Sequence, residues 1–301
     1  MNRRDFLKLG ALTAVTAGVV ARGSRITTAE IELKQVRLAL RDLPREFYNY
    51  RIGLLSDLHH GAWSTNDWVE NALSLVQRAG VDLVLFAGDY LWVHDRWVEW
   101  FFPTIPNQAF QQFPYYAQPR AIYDALIPLL QTLRAPDGVF GVMGNHDHWY
   151  DPAACRELIG NDVITFLTNR SVTIPRGEAR LSISGIDDYW TGLPKRPNLP
   201  IHPARNECRV FLTHNPDIYS LLLNGGEVEF HAGLAGHTHG GQIVLPGIGA
   251  PSYNIDDRRF KDGLFSHPKA QIYTTRGVGT VELPIRVNCP AEVTVLELIS
   301  A

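Results

Sequence analysis

Cysteine is scarce in this chain, and what there is lies far apart. Cys155, Cys208 and Cys289 contain no C-x-x-C pair and are odd in number, so a disulfide framework is not expected and at most one bridge can form. Runs of lysine or arginine are missing from the body of the chain and the net charge is -3, which sets nucleic acid aside as an electrostatic partner. The uncharged stretch 9–21 falls well short of the roughly 20 residues that a spanning helix needs. No Gly/Ser-rich linker and no internal repeat divides the sequence. With 45% hydrophobic and 20% charged residues, what remains is an ordinary globular composition able to bury a sizeable core.

At the start stands Asn2-Arg3-Arg4-Asp5-Phe6-Leu7-Lys8, an arginine pair followed by an aromatic, a leucine and a lysine. The small and apolar residues 9–21 follow, with Val19-Val20-Ala21 suited to cleavage. Residues 1–29 are therefore read as a targeting segment, and they resemble a twin-arginine export signal. That resemblance implies the export machinery as a partner. It places the protein across the bacterial cytoplasmic membrane, in the periplasm or cell envelope, membrane-associated if the segment is kept as an anchor.

Beyond it, the order of elements points to an α/β core. Residues 51–57 read as a strand, 65–79 as an amphipathic helix with Thr65 or Asn66 as N-cap and Gly80 as its stop, and 82–89 as the next strand. A helix at 120–133, a turn at 136–138 and a strand at 139–143 repeat the unit. The second half is strand-rich, with expected strands at 163–167, 171–174, 179–184, 209–213, 227–232, 242–245, 271–275 and 292–299, and a helix at 216–223. Two facing sheets with helices outside accommodate this order in one domain. Residues 91–119 interrupt it with an aromatic-rich insertion holding Trp92, Trp97, Trp100 and four prolines. A loop of this length is uncommon unless functional or disordered, and its aromatics argue against disorder. They either cap the domain or line an apolar pocket that touches lipid-like substrate or a membrane surface.

Five apolar runs end abruptly in metal-ligand residues. Leu54-Leu55-Ser56 delivers Asp57 and His59, residues 83–87 deliver Gly88-Asp89, and 139–143 deliver Gly144-Asn145-His146-Asp147. Residues 210–213 deliver His214, and 232–235 deliver Gly236-His237-Thr238-His239. Functional side chains of such sheets gather beyond the carboxyl ends of the strands, so the five ends are expected to converge. Carboxylate, imidazole and amide donors without cysteine suit divalent Mn, Fe or Zn. Asp57, His59, Asp89, Asn145, His214, His237 and His239 are too many for one ion of four to six ligands, but two ions sharing a carboxylate would use them all.

These motifs, in this order and spacing, resemble the calcineurin-like metallophosphoesterases. Leu212-Thr213-His214-Asn215-Pro216-Asp217, Gly236-His237-Thr238-His239-Gly240-Gly241-Gln242 and Thr275-Arg276-Gly277-Val278-Gly279 are similar to that family's exported bacterial branch. The resemblance covers nearly everything after the signal, and it implies that residues 30–301 form a four-layer α/β/β/α sandwich. It further implies that Asp57, His59 and His239 hold one ion and Asn145, His214 and His237 the other, with Asp89 bridging. His146, left without a metal, would face the leaving group as general acid or phosphate donor, its ring oriented by Asp147. A hydroxide shared by the two ions would attack phosphorus, and a phosphodiester is the expected substrate. The alternatives are a pyrophosphate-bond hydrolase of nucleotide-linked lipid precursors and a metal-binding scaffold without turnover. A purple acid phosphatase would carry a tyrosine where this chain has Trp92, so a pair of divalent ions, such as manganese, is expected rather than a ferric-tyrosinate centre.

Arg276 either reaches a phosphate oxygen through its fork of donors or braces its loop. Asp187 and Asp188 are left with the same two readings. His60, His94, His148, His202, His231 and His267 are read as ordinary structural histidines.

Overall fold

A computed structural model of the chain describes residues 30–61, 63–92, 119–160, 163–226 and 228–301. The targeting segment and most of the aromatic insertion, residues 93–118, lie outside the described residues.

Two six-stranded mixed sheets face each other. The first contains β1 (Ile31–Leu40), β2 (Arg51–Leu55), β4 (Leu83–Phe86), β6 (Val139–Gly141), β7 (Thr165–Phe166) and β14 (Ala291–Ser300), in the order β1-β14-β2-β4-β6-β7. The second contains β8 (Arg170–Arg176), β9 (Ala179–Gly185), β10 (Glu207–Leu212), β11 (Ala232–Ala235), β12 (Gly263–Ser266) and β13 (Gln271–Thr274), in the order β12-β13-β11-β10-β9-β8. A two-stranded ribbon pairs β3 (His60–Gly61) with β5 (Leu91–Trp92). The neighbours β2, β4 and β6 run parallel, as do β9, β10, β11 and β13. Their carboxyl ends therefore share one rim.

Three cores separate the layers. Ile52, Leu54, Leu83, Leu85, Val210, Leu212, Leu234, Leu296 and their neighbours fill the space between the sheets. Leu55, Val84 and Phe86, the alternate members of the same strands, face α1 (Asn66–Ala79) and α2 (Pro119–Leu130) on the outside of the first sheet. This explains why β4 reads as an unbroken apolar run, since both of its faces are covered. The second sheet carries α4 (Ile218–Gly225) on its outer face, over Phe211, Phe230 and Ile272. The result is the expected α/β/β/α sandwich. A short α3 (Asn145–Tyr150) starts where β6 ends.

Helix α1 follows its sequence signals closely. The Thr65 hydroxyl accepts from the Trp68 N–H, Gly80 closes the helix in a left-handed conformation at φ 66°, and Val69, Ala72, Leu73 and Val76 are buried. Two expected strands fail. The strand expected at 227–232 enters the sheet only at Ala232, while 242–245 makes just two isolated pairings, Ile243 with Val287 and Leu245 with Gly249. In that segment the Gln242 amide grips a loop instead, donating to Val281 O and Leu283 O and accepting from Val281 N–H. Conversely β1, with no counterpart in the expected strands, runs ten residues parallel to β14. As an edge strand it buries few of its residues fully, so its apolar signal is diluted. All three cysteines are free and buried.

Candidate dinuclear metal centre

The five strand ends do converge. The chain must turn sharply there, and the cost appears in the backbone: Asp57, His59, Asp89, His237 and His239 all have positive φ, between 44° and 72°. Non-glycine residues adopt this region only where their surroundings enforce it. Gly144 and Gly236 permit the close approach of the loops. A Cβ on Gly144 would lie 2.1 Å from Asp89 Oδ1, and one on Gly236 would lie 1.9 Å from Ser56 Oγ and 2.5 Å from Asp57 Oδ2.

The seven candidate ligands form one continuous buried set. His59 Nε2 lies 3.1 Å from His239 Nε2, and Asp57 Oδ1 stands 3.4 Å from the latter and 3.8 Å from the former. Asp89 Oδ2 sits between the two halves, 3.5 Å from His59 Nε2 and 3.1 Å from His214 Nε2. Around His214 Nε2, Asn145 Oδ1 is at 3.0 Å and His237 Nδ1 at 3.1 Å. Backbone carbonyls fix two of the rings. Ala87 O, 2.7 Å from His214 Nδ1, and Asn254 O, 3.0 Å from His237 Nε2, each accept a ring N–H and leave the opposite nitrogen as a lone pair facing the set.

These atoms fit divalent ions. Nitrogen and oxygen ligands about 2.0 to 2.2 Å from a common centre stand roughly 3 to 3.5 Å from one another, which is the spacing observed. Charge argues the same way. Burial opposes charge on His214, yet with no ion bound the carboxylates of Asp89 and Asp57 outweigh it and hold its pKa up at about 10, so Nε2 then carries a proton that a cation binding there would displace. Negative charge concentrated among lone pairs is what a cation would neutralise. Among the described residues, three groups of carboxylate and imidazole donors have their ligand atoms within 4.8 Å of one another: Asp57 with His59 and His239, Asp57 with Asp89 and His214, and His59 with Asp89 and His146.

His146 also stands at the site. Its backbone N–H donates to Asp89 Oδ1 at 2.9 Å, and its ring packs 4.9 Å from His59 and 4.7 Å from Trp92. Its Nδ1 is buried with no hydrogen-bond partner among the described residues. Asp147 does not orient that ring, contrary to the sequence expectation. Standing third in α3, its carboxylate turns back to accept backbone N–H groups of Gly144, Asp89 and Tyr90 at 2.8, 2.9 and 3.0 Å. It thus fastens the Asp89 loop to the Asn145 loop. Burial, reinforced by the charge of Asp89, holds the Asp147 carboxyl up at about 7.

Arg276 takes the bracing role of its two readings. Its Nε donates to Glu292 at 2.7 Å and its Nη2 to Glu32, away from the ligand set. Sequence reasoning missed Arg286, fully buried behind His239. Its guanidinium donates to the carbonyls of His239, Arg276, Gly277, Gly279 and Cys289 at 2.6 to 3.3 Å. Gly279 in turn donates its N–H to Asp57 O, so this arginine ties the loops that carry Asp57 and His239. The only sequence signal was a charge standing among prolines and apolar residues, which spacing alone cannot place.

A model of the calcineurin-like phosphoesterase family matches residues 50–241, from the start of β2 to the turn after His239. The chain belongs to that family. This metallophosphoesterase is 32% identical over 306 residues to phosphodiesterase YaeI of Escherichia coli (strain K12), the match covering 99% of this chain and 100% of that one. It is 28% identical over 309 residues to the uncharacterized metallophosphoesterase YkuE of Bacillus subtilis (strain 168), covering 99% and 98%. An uncharacterized metallophosphoesterase of Helicobacter pylori is 28% identical over 304 residues, covering 98% of this chain and 71% of that one. As a member of the family, this metallophosphoesterase is a hydrolase of phosphate esters, and its clustered ligands are compatible with a dinuclear divalent site.

Proposed function

We infer that this metallophosphoesterase hydrolyses phosphodiesters, with Asp57, His59 and His239 holding one divalent ion, Asn145, His214 and His237 a second, and Asp89 shared between them. The observation that carries the reading is the position of Asp89 Oδ2, within 3.5 Å of a nitrogen from each half of the set. When bound, such a pair acidifies water for attack at neutral pH and draws charge from the phosphoryl oxygens.

The chain's own residues supply the rest. Asp147 and Arg286 hold the ligand loops in place. Carbonyls of Ala87 and Asn254 keep the protons of His214 and His237 on the outward nitrogens. His146 borders the set without being needed as a ligand, and its ring holds a proton or hydrogen bond for the departing ester oxygen. The wall that Trp92 makes against His59 and His146 keeps water from that side. The diester preference is supported by the name of the Escherichia coli relative, which matches over its whole length.

The test is hydrolysis of a chromogenic phosphodiester and of its monoester by protein reloaded with Mn, beside Asp89→Asn and His146→Ala. Wild type should cleave the diester faster, Asp89→Asn should lose ions and activity, and His146→Ala should lose about 100-fold or more in kcat while keeping both ions. Two bound ions with neither ester cleaved would leave the scaffold reading in place. We also propose that residues 1–29 direct export to the periplasm or cell envelope. Replacing Arg3 and Arg4 with lysine should then retain the protein in the cytoplasm on fractionation, and an unchanged distribution would refute the assignment.

A further inference from the structure

Two half-exposed indoles stand at the two ends of the ligand row. Trp149, 52% exposed, packs its ring 4.8 Å from His146, beside the His59 end. Trp190, 46% exposed, packs 4.5 Å from His237, at the other end. They come from different sheets of the sandwich, Trp149 from α3 after β6 and Trp190 from the loop after β9. A polar link fixes one relative to the other. His148, adjacent to Trp149, places Nε2 3.1 Å from Asp187 Oδ1. Asp188 Oδ2 then accepts the N–H groups of Trp190 and Thr191 and the Thr191 hydroxyl, at 2.8 to 3.0 Å. Asp187 accepts Leu193 N–H with its second oxygen and so closes the same turn. His148, Asp187 and Asp188 thus hold two exposed aromatic surfaces at a set separation across the site, although the turn needs neither indole for its own hydrogen bonds.

We propose that Trp149 and Trp190 are specificity-determining residues that receive the two organic substituents of a phosphodiester, selecting substrates whose groups on both ester oxygens are aromatic or otherwise apolar. This rests on the phosphodiesterase reading and names its substrate class. A diester carries one substituent on each side of phosphorus, a monoester only one. An indole at each end of the ligand row matches the first arrangement. Contact of a ring with an aromatic group contributes about 0.5 to 1.5 kcal/mol beyond burial, equivalent to roughly threefold to tenfold in rate.

The test compares bis(4-nitrophenyl) phosphate with methyl 4-nitrophenyl phosphate, which share a leaving group and differ only in the second substituent. Mn-reloaded full-length protein, Trp149→Ala, Trp190→Ala and the double variant are assayed, with bound ions counted in each. The ratio of kcat/KM for the diaryl over the methyl ester should fall about threefold to tenfold in the double variant, and phenylalanine at both positions should restore most of it. His148→Ala, which releases the two segments from each other, should lower the same ratio. If the wild type cleaves both diesters and the ratio stays unmoved in the double variant, the inference fails and the phosphodiesterase reading stands. A variant that loses its ions also overturns it, because the indole then supports the ligands rather than the substrate. Wild type that holds two ions but cleaves neither diester removes the phosphodiesterase reading, and this inference with it.

Discussion

At the scale of single residues, the candidate site depends on two side chains that stand outside the ligand set and bind backbone around it. Asp147 accepts three backbone N–H groups from the loops that present Asp89 and Asn145. Asp147→Ala leaves those buried donors without an acceptor, at about 1 to 3 kcal/mol for each group left unsatisfied. We expect a stability loss of at least about 2 kcal/mol, read as a drop in Tm of about 4 °C or more. The loss should come with weaker metal binding, since the Asp89 loop is no longer pinned. Arg286 works on the other half of the set. Its planar fork reaches carbonyls on several loops at once, which a lysine cannot do. Arg286→Lys should therefore weaken the ion held by Asp57, His59 and His239 by about 10- to 100-fold, as removal of supporting contacts around metal ligands does. Titration calorimetry would show one ion with reduced affinity and the other nearly unchanged. Equal weakening of both would assign Arg286 to general packing.

At the scale of elements, the seven candidate ligand positions could be singled out because each stands at or a few residues beyond the end of a short apolar run, and parallel strands carry such endings to one rim. Helix α1 was legible for a similar reason, with cap, periodicity and terminal glycine lying within one local stretch. What escaped depends on contacts distant in sequence. Arg286 meets His239 across 47 residues, and the true partners of Asp147 lie 57 and 58 residues away from it except for Gly144. Strand β1 finds its neighbour β14 at the opposite end of the chain. Glu292 on β14 shows what such contacts do for the elements. It accepts from the Tyr273 hydroxyl of β13 at 2.6 Å, from Thr294 at 2.7 Å and from Arg276 at 2.7 Å, with Lys34 of β1 3.6 Å away, so it joins both sheets. Burial raises its pKa, but the charges of Arg276 and Lys34 and the two hydroxyls outweigh it and hold the carboxyl below its ordinary value of 4.5. A depressed folded value means that the stabilisation is fully present above pH 4.5 and is lost as pH falls through the folded value. Glu292→Gln should therefore cost about 2 kcal/mol near neutral pH. Thermal melts should show the gap from wild type narrowing only below about pH 4.5. A gap independent of pH would mean that the loss is one of shape rather than charge.

At the scale of the whole molecule, the ligand set divides between the sheets. Asp57 and His59 follow β2, Asp89 follows β4 and Asn145 follows β6 of the first, whereas His214, His237 and His239 follow β10 and β11 of the second. Away from the rim the sheets are held by an apolar core and by links such as Glu292. At the rim the facing side chains are carboxylates and imidazoles, several of them in left-handed backbone, and without cations only protonated imidazole such as His214 offsets the charge of Asp57 and Asp89. Ions bound there would act as fasteners between the layers as well as reagents. A ligand that binds only the folded state adds about 2.7 kcal/mol at a free concentration 100 times its Kd. For a domain of this size that corresponds to roughly 5 to 10 °C in Tm for a single ion. Chelator-stripped protein should therefore melt well below the Mn-loaded form, with Tm rising steadily as free Mn increases. Asp89→Asn, which removes the carboxylate between the halves, should show a much smaller rise over the same range. If stripped and loaded protein melt together, the sandwich closes without its ions, and the strain at the strand ends is supported by Asp147, Arg286 and the glycine contacts alone.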